Sequence, residues 1–239
     1  MAKATKASKA KSVSLSDGRE KTKIIPSVSA LNPSQKNVLR AIASTDNSII
    51  FLNGIAGTGK TYLAASWGLG EMLKGKFERM IITRPYVEAG EKLGYLPGDY
   101  GSKIAPFMIP IMQTLEDHMS FSDVEQLTKD HKIITLPLAY MRGVTFKNAF
   151  VLLDEGQNTT ATQMHLFLTR IGEKSKMVVT GDASQSDLGK RNGFSDAIAR
   201  LDGVKGLEFV TLDPNLVVRH PIIQEINGRY GEGKEPPSI

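Results

Sequence analysis

The sequence predicts an α/β fold whose mostly parallel sheet is covered by helices on both faces. Short runs of consecutive apolar residues recur along the chain, and strands that are buried on both faces have this composition. Stretches with helical spacing separate these runs, and strands that alternate with helices are typical of a parallel sheet. A glycine-rich loop joins the first apolar run directly to a helical stretch.

The predicted elements follow one another from residue 32 onward. Asn32-Pro33 predicts the start of a short amphipathic helix, because asparagine caps helices and proline is favoured at their first position. The predicted strands are Ile49–Leu52, Met80–Thr83, Phe150–Leu153, Met177–Thr180 and Leu207–Val210. The later predicted helices are Thr61–Leu73, Thr162–Ile171 and Phe194–Leu201.

The 239 residues fit one large domain or two small ones, and we predict a single domain over residues 25–230. Residues 1–24 are predicted to form a disordered basic tail, and residues 231–239 a frayed C-terminus. An insertion at residues 85–147 is expected to elaborate the domain. Its predicted elements are helices at Ile104–Met119 and Val124–Thr128 and an extended piece at Ile133–Leu136.

The excess positive charge lies in the tail. Residues 1–24 hold seven of the 30 Lys and Arg residues and two of the 25 Asp and Glu residues, so the rest of the chain carries 23 of each sign. Lysine clusters bind nucleic acid through its phosphates without reading sequence. Two interpretations of the tail stay open: a solubilising arm, and an arm that adds affinity for nucleic acid.

Composition excludes several classes of site. The chain has no cysteine, which excludes disulfides, thiolate zinc sites and cysteine nucleophiles and is compatible with a reducing cytoplasm. No apolar run approaches the length of about 20 residues that spans a bilayer, and the N-terminus lacks the apolar segment of a secretory signal. The histidines do not have the spacing of metal ligands: His118, His131, His165 and His220.

The glycine-rich loop matches the phosphate-loop pattern G-x-x-x-x-G-K-[ST] in full. It follows an apolar strand and opens a helix, so that backbone N–H groups and the helix N-terminus can surround phosphates. Lys60 is expected to reach the β- and γ-phosphates, and the Thr61 hydroxyl to bind Mg²⁺. The loop consists of Gly54, Ile55, Ala56, Gly57, Thr58, Gly59, Lys60 and Thr61.

An acidic pair follows the strand Phe150–Leu153. Asp154, at the carboxyl end of a central strand, is expected to hold Mg²⁺, and Glu155 to orient and deprotonate an attacking water. The next strand ends in a polar cluster that includes Asp182 and Gln185. This cluster could sense a γ-phosphate, although Gly-Asp is also common in turns.

Three further residues are candidates by position. Arg219 could stabilise charge in the transition state like an arginine finger, or form an ordinary surface ion pair. Gln35, upstream of the first strand, could hydrogen-bond an adenine edge, and no Asn-Lys-x-Asp motif for guanine is present. Tyr62 follows the phosphate loop, where packing is the default interpretation and nucleotide contact the other.

Taken together, these motifs resemble the PhoH family of ATPases, whose core is similar to the first motor domain of superfamily-one helicases. The matching stretches cover residues 30–225 in the family's order. They are NPSQ (32–35), GIAGTGKT (54–61), TRP (83–85), GEKLGYLPGD (90–99), LLDEGQNTT (152–160), TGDASQSDL (180–188) and VVRHPII (217–223). The resemblance implies an ATP-hydrolysing, RecA-like P-loop domain.

The resemblance also implies roles for residues. Gln35 would contact adenine, Asp182 and Gln185 would sense the γ-phosphate, and Arg84 and Arg219 are the arginine candidates. The remaining implied contacts are to phosphates, Mg²⁺ and water, from Gly57, Thr58, Gly59, Lys60, Thr61, Asp154 and Glu155. The chain departs from the family at Gly156, where alanine is usual, and at Leu216, where aspartate is usual. Its short length resembles versions found in bacteriophages, which would work in the host cytoplasm.

Several functions stay open at this stage. The leading one is a Mg²⁺-dependent ATPase coupled to RNA or single-stranded DNA, and a helicase is one form of it. A helicase motor generally needs two RecA-like lobes and only one is expected here, so we predict a homo-oligomeric ring, six-fold in the leading version. Arg219 or Arg84 would then reach the neighbouring subunit's γ-phosphate. The alternatives are a slow ATP-driven switch or assembly factor acting on a protein partner, and a small-molecule kinase.

Overall fold

A computed structural model of the chain describes residues 27–85, 100–185, 192–218 and 222. The strands of this part are β1 (Ile49–Asn53), β2 (Arg79–Thr83), β3 (Ile133–Thr135), β4 (Ala149–Leu153), β5 (Lys176–Gly181) and β6 (Leu207–Thr211). Its helices are α1 (Pro33–Ala43), α2 (Lys60–Leu73), α3 (Tyr100–Glu116), α4 (Phe121–Lys129), α5 (Ala161–Leu168) and α6 (Gly193–Leu201). Short 3₁₀ turns occur at Leu138–Met141 and Gly156–Asn158.

The strands form a single sheet in the order β3-β2-β4-β5-β1-β6, and every described pair is parallel. Alternate residues of the central strands face opposite sides, so each strand contributes to two hydrophobic cores. One core includes Ile50 and Phe150 and involves helices α1 to α4. The other includes Phe51 and Val151 and involves α5 and α6. The predicted α/β fold, with helices on both faces of a parallel sheet, is confirmed.

Local sequence signals explain where several helices begin and end. The Asn32 side chain accepts a hydrogen bond from the Gln35 backbone N–H at 2.9 Å, so the predicted N-cap of α1 is confirmed. The prediction that helix α5 continues to residue 171 is wrong. The helix ends at Leu168 because Ile171 forms a parallel bridge with Phe146 instead.

Residues 100–147 contribute a strand to the sheet and side chains to the cores on both of its faces, the second core through Leu138, Met141 and Phe146. Strand β3 pairs in parallel with β2 through Met80 and Ile133, and Met108, Ile111 and Leu115 of α3 are buried in the core beside α2. Helix α3 ends at Glu116, so the prediction that it continues to Met119 is also wrong. Within the described ranges, no helix combines the length and apolarity that crossing a membrane requires.

Candidate nucleotide site

A cleft of about 400 Å³ opens at the carboxyl ends of the parallel strands, where ligands of open α/β sheets usually bind. Its lining combines the phosphate loop, the polar ends of β2, β4 and β5, and one side of α3. The lining residues are Ala56, Gly57, Gly59, Lys60, Thr61, Tyr62, Arg84, Pro110, Thr114, Asp154, Glu155, Gln157, Thr180, Gly181, Asp182 and Gln185.

The phosphate loop runs from the end of β1 to the first residue of α2. Gly57 and Gly59 have φ angles of 87° and 89°, a region that glycine enters without steric cost. The Lys60 ammonium donates to the carbonyl oxygens of Gly54 at 2.5 Å and of Ile55 at 2.9 Å. Thr58 also donates its hydroxyl to Ile55, at 2.9 Å. The loop is therefore closed around the lysine that a phosphate would engage.

Gln35 lies beneath this loop and is 3% exposed. Its side-chain Nε2 donates to the Thr58 carbonyl at 3.1 Å, while its Oε1 accepts from the Leu31 backbone N–H at 2.9 Å. A Cβ at Gly59 would come within 2.9 Å of the same Nε2. These contacts make Gln35 a support of the phosphate loop. Its contact with adenine stays a prediction.

The Asp154 carboxylate connects the phosphate loop to two strands. It is 4% exposed, and its Oδ1 accepts from the Thr61 hydroxyl at 2.7 Å and from the Thr180 hydroxyl at 2.6 Å. Mg²⁺ prefers oxygen ligands, and in nucleotide sites it takes few from the protein because phosphates and waters supply the rest. The hydroxyl of Thr61 and the carboxylate of Asp154 fit such an ion. Within the described ranges, no cluster of three or more His, Cys, Asp or Glu side chains forms a metal site.

Arg84 lies in the same cleft as the acidic pair of its own chain. Its Nη2 is 3.3 Å from Glu155 Oε1, and its Nε is 4.0 Å from Asp154 Oδ2. The pairing of Thr83 with Leu153 in adjacent parallel strands brings the residues that follow them together. The guanidinium of Arg84 therefore contacts carboxylates of its own chain. A contact of Arg84 with a neighbouring subunit stays a prediction.

Gln157 is a site residue that the sequence analysis did not single out, although it lies in the matching stretch LLDEGQNTT. It is 6% exposed, and its Nε2 donates to Glu155 Oε2. Its Oε1 accepts from the backbone N–H of Asp182 at 3.1 Å. The sequence signal that could have identified Gln157 is its polar side chain two positions after Glu155. Its bridging contact depends on the adjacency of β4 and β5.

The polar cluster after β5 lies at the cleft, as its motif suggested. Asp182 is 5% exposed, and its Oδ1 accepts from the backbone N–H and the hydroxyl of Ser184 at 2.9 and 2.6 Å. Its Oδ2 is buried and has no hydrogen-bond partner in the described part of the chain. The Gln185 backbone N–H donates to the Asp182 carbonyl at 3.2 Å. The end of β5 therefore contributes to the cleft lining an aspartate with one buried, unpaired oxygen.

Tyr62 lines the cleft and is 40% exposed. Its ring lies against the His118 ring with centroids 5.6 Å apart, and His118 Nε2 is 2.6 Å from the Ser66 hydroxyl. Burial raises the pKa of Tyr62 and lowers the pKa of His118, while Asp117 acts to raise both. Tyr62 both packs against its neighbour and faces the cleft, so its two interpretations are compatible.

Three further positions singled out from the sequence are Arg219 and the two departures from the family pattern, Leu216 and Gly156. Arg219 lies outside the described residues, and the preceding Val218 donates its backbone N–H to the Gly57 carbonyl at 2.9 Å. The carbonyl of Leu216, one of the departures from the family pattern, accepts from the Asn32 side chain at 3.4 Å. At the other departure, a Cβ on Gly156 would come within 2.8 Å of Val179.

The fold has relatives among solved structures. Two structures of the large terminase from a thermophilic bacteriophage match with TM-scores of 0.56 and 0.51, at 12% and 11% identity. They cover 86% and 84% of this chain and 51% and 50% of the terminase chain, and the second contains ADP. Together with the sheet and its phosphate loop, this likeness identifies a RecA-like P-loop fold.

Curated relatives are more similar in sequence. A PhoH-like protein of Synechocystis is 44% identical over 208 residues, and one of Bacillus subtilis is 46% identical over 186 residues. These matches cover 85% and 77% of this chain but only 63% and 58% of the relatives. Protein PhoH of Escherichia coli is 38% identical over 218 residues, which are 90% of this chain and 60% of that protein. The sequence profile described as PhoH-like protein matches residues 27–231, and the chain belongs to this family.

Proposed function

We infer that the chain is a Mg²⁺-dependent ATP hydrolase. The observation that carries this proposal is the convergence of Thr61, Asp154 and Glu155 in one cleft, with the phosphate loop on one side and the end of β5 on the other. The ADP in one of the bacteriophage terminase structures, which share the fold, supports a nucleotide as ligand. Membership of the PhoH-like family supports the same activity.

The proposed reaction follows from the positions of the side chains. The phosphate loop and Lys60 hold the phosphates, and Thr61 and Asp154 would hold Mg²⁺. When bound, Mg²⁺ supplies positive charge that neutralises the phosphate oxygens. Glu155 accepts a proton from a water molecule as the water oxygen bonds to the γ-phosphorus and the bond to the ADP oxygen breaks.

Phosphate release from Mg-ATP tests this proposal. Lys60→Ala and Glu155→Gln are expected to lower turnover by about 10²-fold or more, because each removes a group that acts on the transferred phosphate or on water. Lys205→Ala, an exposed lysine distant from the cleft in sequence, is the matched control. Unchanged turnover in both cleft variants would contradict the assignment of this cleft as the catalytic site.

The proposal extends to coupling with RNA or single-stranded DNA. The family resemblance and the lysine-rich tail support it, and turnover is expected to rise when single-stranded nucleic acid is added. Deleting residues 1–23 should weaken nucleic-acid binding and flatten its salt dependence, with basal hydrolysis intact. A rate of ATP hydrolysis that does not change when nucleic acid is added would favour a switch that acts on a protein partner.

We also propose that the complete site forms between subunits of a homo-oligomeric ring, in the cytoplasm. Among the described residues, the arginine that lines the cleft is Arg84, and it contacts carboxylates of its own chain. Arg219 is then the candidate for a transition-state arginine from a neighbouring subunit. Ring contacts of this kind close by rotation. The proposed ring would be overturned if sedimentation in Mg-ATP found only monomer at protein concentrations at which the enzyme hydrolyses ATP.

A further inference from the structure

We propose that Gln157 is a positioning residue that holds the Glu155 carboxylate for water activation and links it to the end of β5. This inference rests on the proposed hydrolysis of ATP. Gln157 does not touch the reacting atoms in this account. It acts through Glu155, and its amide is the physical connection between that carboxylate and the strand end that carries Asp182.

Among the described residues, the amide of Gln157 donates one hydrogen bond and accepts another. Its Nε2 donates to Glu155 Oε2, and its Oε1 accepts from the Asp182 backbone N–H at 3.1 Å. A rotation that exchanged the two ends would point an oxygen at a carboxylate and an N–H group at an N–H group. The orientation is therefore fixed by chemistry, and glutamate cannot replace it when ionised because it has no donor.

The backbone at Glu155 has an uncommon conformation next to this bridge. Glu155 has φ 55° and ψ 44°, a left-handed conformation that is uncommon for residues other than glycine and costs free energy where it occurs. The turn that follows lies directly on β5, since a Cβ on Gly156 would approach Val179 to 2.8 Å. A Cβ on Gly181 would likewise be 3.1 Å from Gln157 Oε1.

The other oxygen of Glu155 is held from the opposite side. Arg84, after β2, places Nη2 3.3 Å from Glu155 Oε1, while Gln157 reaches Oε2. Each carboxylate oxygen has two lone pairs, so these contacts leave acceptor sites for a water molecule. The position of the carboxylate consequently depends on the ends of two strands, and a displacement of Asp182 by a γ-phosphate would be passed to it through Gln157.

If Gln157 had only a structural role, its substitution would change the stability of the chain but not the rate of ATP hydrolysis. Two variants distinguish this role from the positioning of Glu155. Gln157→Glu keeps the volume and removes the donor, and the introduced carboxylate repels Glu155 when ionised. When protonated, its O–H can donate as the amide does. Gln157→Met removes both polar contacts without adding charge, and no change of pH restores them. Among the described residues, the charged groups of the cleft nearest to position 157 are Glu155, Asp182, Arg84 and Asp154.

The experiment measures steady-state phosphate release from Mg-ATP by the full chain from about pH 5.5 to pH 8.5. We expect Gln157→Glu to lower kcat by about 10²-fold at the alkaline end, since small misplacements of catalytic groups cost about this much. The deficit should narrow as the pH falls, and KM should change by less than about threefold. Gln157→Met should lower kcat across the whole range without this recovery.

Gln126→Glu, an exposed glutamine on α4, is the matched control and should leave kcat and its pH profile unchanged. ADP binding by calorimetry and the midpoint of thermal unfolding verify that the variants are folded and still bind nucleotide. Wild-type kcat in Gln157→Met, or a deficit in Gln157→Glu that does not depend on pH, would overturn the inference while the proposed function stands. A wild-type chain that releases no phosphate would overturn both.

Discussion

Strand β5 carries a buried charge at each end, and the two ends are built differently. At its amino end, Lys176 is 6% exposed, and its ammonium donates to the carbonyls of Ile42 at 2.7 Å and Ser44 at 2.5 Å. Just beyond its carboxyl end, Asp182 is 5% exposed and has one oxygen paired with Ser184. Its other oxygen has no hydrogen-bond partner among the described residues.

This difference separates a structural charge from one that is available to a ligand. The lysine donates to carbonyls that the C-terminus of α1 leaves unpaired, which is a common way to complete a helix end. The aspartate lines a cleft and keeps one buried oxygen without a hydrogen-bond partner among the described residues. Burial of a charge is therefore a weak sign of function by itself, and incomplete pairing inside a cleft is a stronger one. The two ends should respond differently to substitution.

The largest effect is expected at Asp154, which follows β4 and whose carboxylate accepts from Thr180 at the carboxyl end of β5. Asp154→Asn removes the charge that accepts two hydroxyl groups and fits a cation, and turnover should fall by about 10²-fold or more. Phosphate release measured across a range of Mg²⁺ concentrations checks this, with Asp202→Asn, an exposed residue, as the control. Turnover within a few-fold of wild type would contradict a functional role for this carboxylate.

The next effect concerns nucleotide affinity. Gln35→Leu leaves the Thr58 carbonyl and the Leu31 N–H without their partner, and an unsatisfied buried group costs about 1–3 kcal/mol. This cost lowers the free energy of unfolding and leaves the loop less firmly held before nucleotide binds. Nucleotide affinity should therefore fall, by at most about 150-fold if the whole upper value is lost on binding, as calorimetric titration can measure. If Gln35 only supports the loop, ATP and GTP affinities fall together. A loss confined to ATP would establish the predicted adenine contact instead.

The packing of the turn after β4 against β5 gives a third prediction. Gly156→Ala places a Cβ 2.8 Å from Val179 and 3.2 Å from the Thr180 carbonyl, and overpacking of this kind costs about 1–3 kcal/mol of unfolding free energy. Chemical denaturation measures the loss. The double variant with Val179→Ala should lose less than the sum of the two single variants, because one of the clashes is removed. Full additivity would show that the close contact is not the cause.

Near neutral pH the smallest effect is expected at the amino end, where stability depends on pH only above about pH 8. Burial lowers the pKa of Lys176 to about 8, with a smaller contribution from Lys76, while Glu208 and Glu71 act in the opposite direction. Between that value and the ordinary lysine pKa of 10.5, the unfolded chain binds more protons than the folded one. Unfolding free energy should therefore rise with pH in this window, at up to about 1 kcal/mol per pH unit.

Denaturation at several pH values above 8, compared between wild type and Lys176→Met, measures this contribution. In Lys176→Met the unfolding free energy should no longer rise with pH in this window. ATP turnover should be unchanged, because the amino end of β5 does not line the cleft. A variant with normal pH dependence, or one with reduced turnover and unchanged stability, would contradict the distinction between the two ends.

The sequence predicted the parts of the site that are contiguous in the chain. The phosphate loop and the N-cap at Asn32 depend on residues within a few positions of each other, so their patterns are visible without the fold. The contacts of Arg84, Gln157 and Thr180 depend on the strand order β2-β4-β5. No local pattern specifies which strands become neighbours, and these side chains meet only because the sheet places their strand ends together.

The same reason explains why the contacts of Arg84 within its own chain were not predicted. Its sequence neighbours indicated an arginine close to the nucleotide site, but its contacts with Asp154 and Glu155 depend on the pairing of β2 with β4. The wall that Pro110 and Thr114 of α3 contribute to the cleft was likewise not predicted. Helix α3 has an ordinary apolar pattern, and only its packing against α2 turns one side toward the site.

One packing feature gives the chain an optical property of its own. Trp67 is the only tryptophan in the sequence, and it lies on α2, the helix that begins at the phosphate loop. Its ring lies 5.7 Å from Phe150 and 6.2 Å from Phe77, and the ammonium groups of Lys76 and Lys176 are 5.2 and 5.8 Å from its centre. The unlabelled protein thus carries a single tryptophan fluorophore. Tryptophan emission, excited selectively over the tyrosines, will report changes around a single known helix.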